Sequence, residues 1–168
     1  MNRLSLLACS CALVVGAAAG APKALATTVN RHELQNATGL CQAALPNFDG
    51  QIRKRPTAIS NEGTGIAFVS CSLVGDNSRS TTDLDVRLKN NGTTAQVANC
   101  VLVSGTVQSR IFITKSLPLA AGTSALLTWT AVADNGGVKF DYPNVQCSFM
   151  PGVELDYVER NFKETVGR

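Results

Sequence analysis

The residues from Asp83 to Lys89 alternate between charged and aliphatic side chains without interruption. Successive side chains of a β-strand point to opposite faces of its sheet, so Leu84, Val86 and Leu88 would share one face. The pattern therefore predicts an antiparallel strand with one buried face and one face in water. The turn sequence at 90–92, Asn-Asn-Gly, follows directly and favours a return strand.

The remaining chain repeats this alternation of short extended segments and turn residues, and it contains no long helical period. Further extended segments are predicted at 64–73, 95–104, 110–114, 124–132, 139–142, 145–149 and 153–157. We therefore predict an all-β fold, a single antiparallel β-sandwich of jelly-roll or immunoglobulin-like type with seven to eight strands.

The N-terminus has the composition of an export signal. Arg3 lies in a short positive region, residues 4–19 are apolar or small, and Ala24-Leu25-Ala26 ends the segment. We predict cleavage after Ala26, with Ala19-Gly20-Ala21 as the alternative site. A membrane anchor and a lipidated cysteine are the competing interpretations. The run is Ala/Gly-rich and weakly apolar for a span, and its two cysteines come before its apolar part ends.

These features divide the chain into four parts. They are a signal peptide at 1–26, a flexible lead at 27–38, the sandwich at 39–160 and a polar tail at 161–168. The mature protein is then secreted or periplasmic, with no membrane span. Cleavage removes two basic residues and no acidic one, so the formal charge falls from +3 to +1. That near-neutral balance argues against a nucleic-acid partner held by bulk charge.

Four cysteines remain after cleavage: Cys41, Cys71, Cys100 and Cys147. An even number in an oxidising compartment is typical of disulfides. Zinc sites usually contain close pairs of cysteines, which are absent here, and the sequence has a single histidine. Three connectivities are open. We favour Cys41–Cys71 and Cys100–Cys147 because these cysteines are neighbours in sequence, with about 3–4 kcal/mol expected from each bridge.

Several blocks around the cysteines have a familiar layout. They are Ala58-Ile59-Ser60-Asn61, the V-x-C-x-L core of 67–73, Cys100 in a valine-rich strand, and 145–152 leading into Leu155-Asp156-Tyr157. The layout resembles small secreted bacterial proteins with four cysteines and a jelly-roll-like sandwich, which carry no assigned function. The resemblance implies the fold and the exported location, and it carries no functional residue across.

Asp83 and Asp85 form the best-spaced carboxylate pair, about 6.5–7 Å apart along the predicted strand. Such a separation would suit an inverting glycosidase. The same two residues also fit the solvated face of a half-buried strand, which they would share with Arg87 and Lys89. We favour the solvated face, because catalytic acids need a desolvated, shaped pocket.

Other candidate sites are fewer. Arg53, Lys54 and Arg55 form the one basic run, which could bind an anionic partner or be a solvated loop beside Pro56. Tyr142, next to Pro143, is the candidate surface aromatic residue, whereas Trp129 is expected in the core. The sequence Asp134-Asn135-Gly136-Gly137 could supply calcium ligands, but it is better explained as a turn.

These observations favour a non-catalytic module that binds a glycan or a protein, with no catalytic residue, cofactor or metal. The alternatives are a small extracytoplasmic hydrolase that uses carboxylates, and an inhibitor or structural envelope protein. The single histidine, His32, and the missing nucleophile motif argue against the hydrolase.

Overall fold

The computed structural model describes residues 26–73 and 81–167. The predicted signal peptide lies outside the described residues up to position 25. The described part contains eleven strands: β1 (Thr27–Asn36), β2 (Cys41–Ala43), β3 (Ile52–Lys54), β4 (Ile59–Asn61), β5 (Ala67–Ser72), β6 (Thr81–Asn90), β7 (Gln96–Gly105), β8 (Arg110–Leu119), β9 (Ser124–Thr130), β10 (Asn144–Phe149) and β11 (Val153–Val166). The helical segments there are single turns: α1 (Ala37–Leu40), a 3-10 turn (Pro46–Phe48) and α2 (Ala131–Asp134).

The strands form two antiparallel sheets. The six-stranded sheet has the order β3-β4-β11-β6-β9, with β1 also paired to β11, and the five-stranded sheet has the order β2-β5-β10-β7-β8. Strand β6 pairs along one edge of β11. The other edge pairs with β4 at residues 154–155 and with β1 at residues 157–166. The predicted antiparallel sandwich is confirmed.

The last eight strands pair in a nested way: β4 with β11, β5 with β10, β6 with β9, and β7 with β8. This nesting is the double Greek key of a jelly roll, with four strands in each sheet. It differs from the immunoglobulin arrangement, in which the sheets are ABED and CFG. The three remaining strands, β1 to β3, extend the sheets at their margins.

Both predicted disulfides are present, and both lie within the five-stranded sheet. Cys41 of β2 is directly opposite Cys71 of β5, and Cys100 of β7 is directly opposite Cys147 of β10. All four side chains face inward and are buried. The bridges therefore join neighbouring strands of one sheet rather than the two sheets to each other.

The core between the sheets is built from the inward-facing residues of each strand. Leu84, Val86 and Leu88 of β6 are fully buried, as their alternation predicts, and Trp129 of β9 is buried as expected. The Trp129 indole N–H donates to the backbone carbonyl of Ile113 in β8, at 2.9 Å. This bond joins the two sheets where their edge strands β8 and β9 meet.

The predicted flexible lead is instead strand β1, which pairs with β11 from Thr27 to Asn36. Its inward-facing residues are Arg31, Glu33 and Gln35 beside Val29, so hydrophobic alternation could not reveal it. The Glu33 carboxylate of β1 is bonded to the buried Arg160 guanidinium of β11, at 2.6 Å and 2.8 Å. Arg160 is 1% exposed. Its guanidinium carbon lies 4.7 Å from the centroid of the Phe162 ring.

Two further expectations differ from the structure. Most of the predicted polar tail, from residue 161 to Val166, continues β11 and pairs with β1. The short strand predicted at 139–142 is reduced to a single bridge between Phe140 and Thr81. Within 26–73 and 81–167, no helix has the length and apolar character needed to cross a membrane.

Candidate binding face

The outward-facing side of the five-stranded sheet carries uncharged side chains, and we call it the neutral face. Five strands contribute to it with alternate residues: Gln42; Phe68, Ser70 and Ser72; Val97, Asn99, Val101 and Val103; Phe112, Thr114, Ser116 and Pro118; and Asn144, Gln146 and Ser148. Among the described residues of this face, Arg110 at one corner is the one ionisable group.

Strand register arranges these residues in rows across the sheet. One row runs Phe68, Ser148, Asn99, Ser116, and the next runs Ser70, Gln146, Val101, Thr114. Neighbouring strands lie about 4.8 Å apart, and residues on one face of a strand repeat about every 6.6 Å. The face is therefore a regular array of amides and hydroxyls.

Aromatic rings stand at opposite margins of the neutral face. Phe68 on β5 is 37% exposed, and its ring centroid lies 5.5 Å from that of Phe48 in the 3-10 turn. Phe112 on the edge strand β8 is 62% exposed, with the Arg110 guanidinium carbon 5.6 Å from its ring centroid. The uncharged polar rows lie between these two apolar margins.

A groove of about 600 Å³ lies at one end of the neutral face. Its floor is the paired residues Val97 and Pro118, and it is also lined by Ala95, Asn99, Ala120 and Met150. None of its lining residues is ionisable. Val97 is 47% exposed within it.

The outward side of the six-stranded sheet carries many charged side chains, and we call it the charged face. Lys89 of β6 pairs with Glu154 of β11 at 3.3 Å, and His32 of β1 lies 3.1 Å from Glu159. Arg87 donates to the Ser124 hydroxyl at 2.7 Å. These polar contacts link neighbouring strands across the outward side of the sheet.

The structure places Asp83 and Asp85 on this charged face, two residues apart on β6. The Thr128 hydroxyl donates to the Asp85 carboxylate, and the Thr82 hydroxyl donates to that of Asp83 at 2.7 Å. Directly opposite them in the register are Asn161 and Glu159 of β11. Asp83 also lines a groove of about 440 Å³ with His32 and Lys163.

The carboxyl group of Asp156 lies at an irregularity of β11, where the register with β6 shifts between Leu155 and Tyr157. Partial burial raises its pKa above the ordinary value of 3.8, and the neighbouring Glu154 raises it further. Lys89 and Arg87 act in the opposite direction and are outweighed.

The basic run does not gather into one patch. The Arg55 guanidinium binds the Glu62 carboxylate through two bonds of 2.7 Å, which keep the pKa of Glu62 below its ordinary value of 4.5. Arg53 donates to the backbone carbonyls of Asp49 and Ile52. Lys54 follows Arg53 in β3 and therefore projects from the other side of the strand, whereas Arg55 lies beyond the end of β3.

The loop that follows β9 contains two of the predicted features. Tyr142 is 37% exposed and has a positive φ of 46°. Burial tends to raise the pKa of Asp134, but hydrogen bonds from Lys115 and the Thr130 backbone N–H hold it below 3.8. Among the described residues, no group of three or more His, Cys, Asp or Glu side chains is placed to hold a metal ion.

The neutral face contains few of the charged and aromatic residues that mark a candidate site in a sequence. Its polar members are Asn, Gln, Ser and Thr spread over five strands. A signal was present in β10, where Asn144, Gln146 and Ser148 alternate with buried residues. The register that aligns those residues with Asn99 and Ser116 required the fold.

No protein-family model and no curated protein matches the sequence. Solved structures similar in fold include the C-terminal CBM6 of LamC, a marine laminarinase from Zobellia galactanivorans. The two chains are 10% identical, with 79% of this chain and 99% of the other covered and a TM-score of 0.46.

Two further structures are similar at the same level. The carbohydrate-binding module CBM36, solved with calcium and xylotriose, is 13% identical, with 80% of this chain and 99% of the other covered and a TM-score of 0.38. A protein of Bacillus endospore appendages, described as disulfide-linked pili, is 15% identical, with 96% and 99% covered and a TM-score of 0.38. Each is similar in fold and not in sequence.

Proposed function

We propose that this protein is a non-catalytic binding module that takes a neutral glycan on its neutral face. One observation carries the proposal: fifteen outward-facing residues on five strands are uncharged, with Arg110 at one corner, while the opposite face of the same sandwich carries charged side chains of both signs. Exposed sheet faces of soluble proteins usually carry charged residues, so a face with a single charged residue at its corner indicates a specific partner.

The chemistry of the neutral face supports a glycan over a protein. Asn and Gln amides both donate and accept hydrogen bonds, and Ser and Thr hydroxyls do the same. The hydroxyls of a neutral sugar can therefore be matched at many positions without an unpaired charge. The centre of a protein–protein interface is usually apolar and aromatic, whereas here the aromatic rings lie at the margins.

The rigidity of the face also supports binding. Gln146 is exposed at its centre, on the strand whose Cys147 is bridged to β7, and Ser70 precedes Cys71, which is bridged to β2. A preorganised surface loses less conformational entropy on binding than a mobile loop does. The side chains of the polar rows are therefore held in register before the ligand arrives.

We also propose that the protein works outside the cytoplasm, after removal of residues 1–26. Two buried disulfides are typical of oxidising compartments. Cleavage after Ala26 would leave Thr27, the first residue of β1, at the new N-terminus. N-terminal sequencing of the protein from its native host tests this, and a terminus inside β1 would contradict it.

The binding experiment uses the purified protein and a panel of neutral and acidic polysaccharides in affinity electrophoresis. We expect retardation by a neutral polysaccharide that is insensitive to added salt, because no ion pair is involved. Phe112→Ala should weaken it at least about tenfold, as expected for an aromatic contact residue. Leu126→Ala, which truncates a 43% exposed apolar side chain on the charged face, is the control.

Three results would contradict the proposal. They are binding confined to acidic polysaccharides and abolished by salt, equal loss in both variants, and no binding to any neutral polysaccharide. Incubation with the same panel should release no products. Turnover that Asp83→Asn or Asp85→Asn abolishes would make the charged face a catalytic site instead.

A further inference from the structure

The groove at the end of the neutral face differs from the rest of that face in its lining. Most of its lining residues are aliphatic, Val97, Pro118 and Met150 among them, and the amides of Gln96 and Asn99 are its polar part. The aromatic rings of the face lie elsewhere, at its margins. The flat apolar side of a sugar ring is matched by an aromatic ring, whereas a groove of small aliphatic groups fits a methyl substituent.

The side-chain amide of Asn99 borders this groove in a fixed orientation. The Ser116 hydroxyl donates to Asn99 Oδ1 at 2.6 Å, which engages the acceptor end of the amide. Within the described part of the chain, no hydrogen bond engages Asn99 Nδ2. The donor end of the amide is therefore available to a carbonyl oxygen of a ligand.

Asn99 and Val97 lie two residues apart on one face of β7, so the donor and the aliphatic floor are about 7 Å apart at the backbone. A neutral group that carries a methyl beside a carbonyl acceptor fits both. An acetamido substituent has this composition. A plain hydroxyl can accept from the amide, but it leaves the aliphatic floor in contact with water.

We propose that the ligand of the neutral face is a polysaccharide of 2-acetamido sugars, with the acetamido methyl in the groove and its carbonyl oxygen accepting from Asn99 Nδ2. The inference rests on the proposed glycan-binding function and specifies its ligand. It makes Asn99 and Val97 the residues that distinguish an acetylated sugar from its unmodified counterpart.

The test compares two tetrasaccharides by titration calorimetry with the full chain. One is built of β-1,4-linked 2-acetamidoglucose and the other of β-1,4-linked glucose, so that the two ligands differ at C2. We expect the acetamido ligand to bind about tenfold more tightly, as one bond and one buried methyl would give. Asn99→Asp keeps the bond to Ser116 and replaces the donor by an acceptor, and it should remove this preference.

Two further variants complete the design. Val97→Thr preserves the shape of the groove floor, adds a hydroxyl, and should lower the preference. Phe112→Ala should weaken both ligands equally, because it lies at the far end of β8. Thermal melts of each variant establish that it is folded.

The outcomes separate the two proposals. Equal affinity for the two tetrasaccharides would overturn the acetamido assignment and leave the glycan-binding function standing. A preference that survives both Asn99→Asp and Val97→Thr would overturn the role of the groove. Failure to bind either tetrasaccharide, together with failure across the neutral polysaccharides, would overturn both proposals.

Discussion

The neutral face and the charged face each lie on an antiparallel sheet, and the two sheets differ in the interactions that stabilise them. The sheet beneath the neutral face contains both disulfides, each between directly opposed residues of adjacent strands. The sheet beneath the charged face has no disulfide among its described residues. It is held instead by ion pairs and by the long pairing of β1 with β11.

The contrast between ion pairs and disulfides matches the surface that each sheet presents. Ion pairs across a charged face stabilise weakly and are screened by salt, but they suit a surface that remains in water. A face that presents uncharged side chains to a ligand cannot use them. Its strands are fixed from behind by covalent bonds on the buried side, which leaves the outward side chains free for recognition.

The largest effect should come from removing the bridges. Replacing all four cysteines by alanine should cost about 7 kcal/mol, because each bridge closes a loop of 30 or 47 residues in the unfolded chain. That is a large part of the stability of an ordinary domain. Guanidinium denaturation measures it, with each single-pair variant as control. A loss below about 1 kcal/mol would show that the two sheets do not differ in this respect.

The second effect concerns the two ion pairs that join β1 to β11. Glu33→Ala should cost about 3–5 kcal/mol, because it leaves the Arg160 guanidinium buried without a partner. Glu164→Ala removes the exposed pair with Arg31 and should cost no more than about 1 kcal/mol. Urea denaturation of the two variants compares them. Equal losses would mean that burial of Arg160 does not determine how β1 is held.

The smallest effect is the pH dependence of one carboxyl on the charged face. Because burial and Glu154 raise the pKa of Asp156 above 3.8, the folded state holds its proton more tightly than the unfolded state does. The ionised group therefore destabilises the fold above the raised pKa, and this penalty disappears as the pH falls towards 3.8.

Asp156→Asn should thus stabilise the protein at pH 7 by at most about 0.5 kcal/mol, and the gain should vanish near pH 3.8. Thermal melts at several pH values measure it. Asp134→Asn is the control of opposite sign, since the pKa of Asp134 is lowered. It should destabilise at pH 7, with the difference shrinking as the pH falls below 3.8. A gain for Asp156→Asn that grows in acid would contradict the assignment.

Some strands were predictable from the sequence because their inward residues are apolar. The alternation of Leu84, Val86 and Leu88 predicted which side chains of β6 are buried, and Trp129 was assigned to the core for the same reason. Strand β1 could not be found in this way. Its inward residues include Glu33 and its outward residues include the 54% exposed Leu34, so its pattern is inverted. The partner that makes this arrangement stable, Arg160, lies 127 residues away.

The sequence by itself determined the fold class, because alternation and turn residues act over a few positions and are visible along the chain. It also contained the four cysteines and a favoured pairing of them. The candidate site was decided by tertiary structure alone. Asn99, Ser116, Gln146 and Ser148 are ordinary polar residues in isolation, and they become one surface when the nested pairing of strands brings them into register. Register between distant strands depends on which hydrogen-bonded edges meet, and no local pattern encodes that.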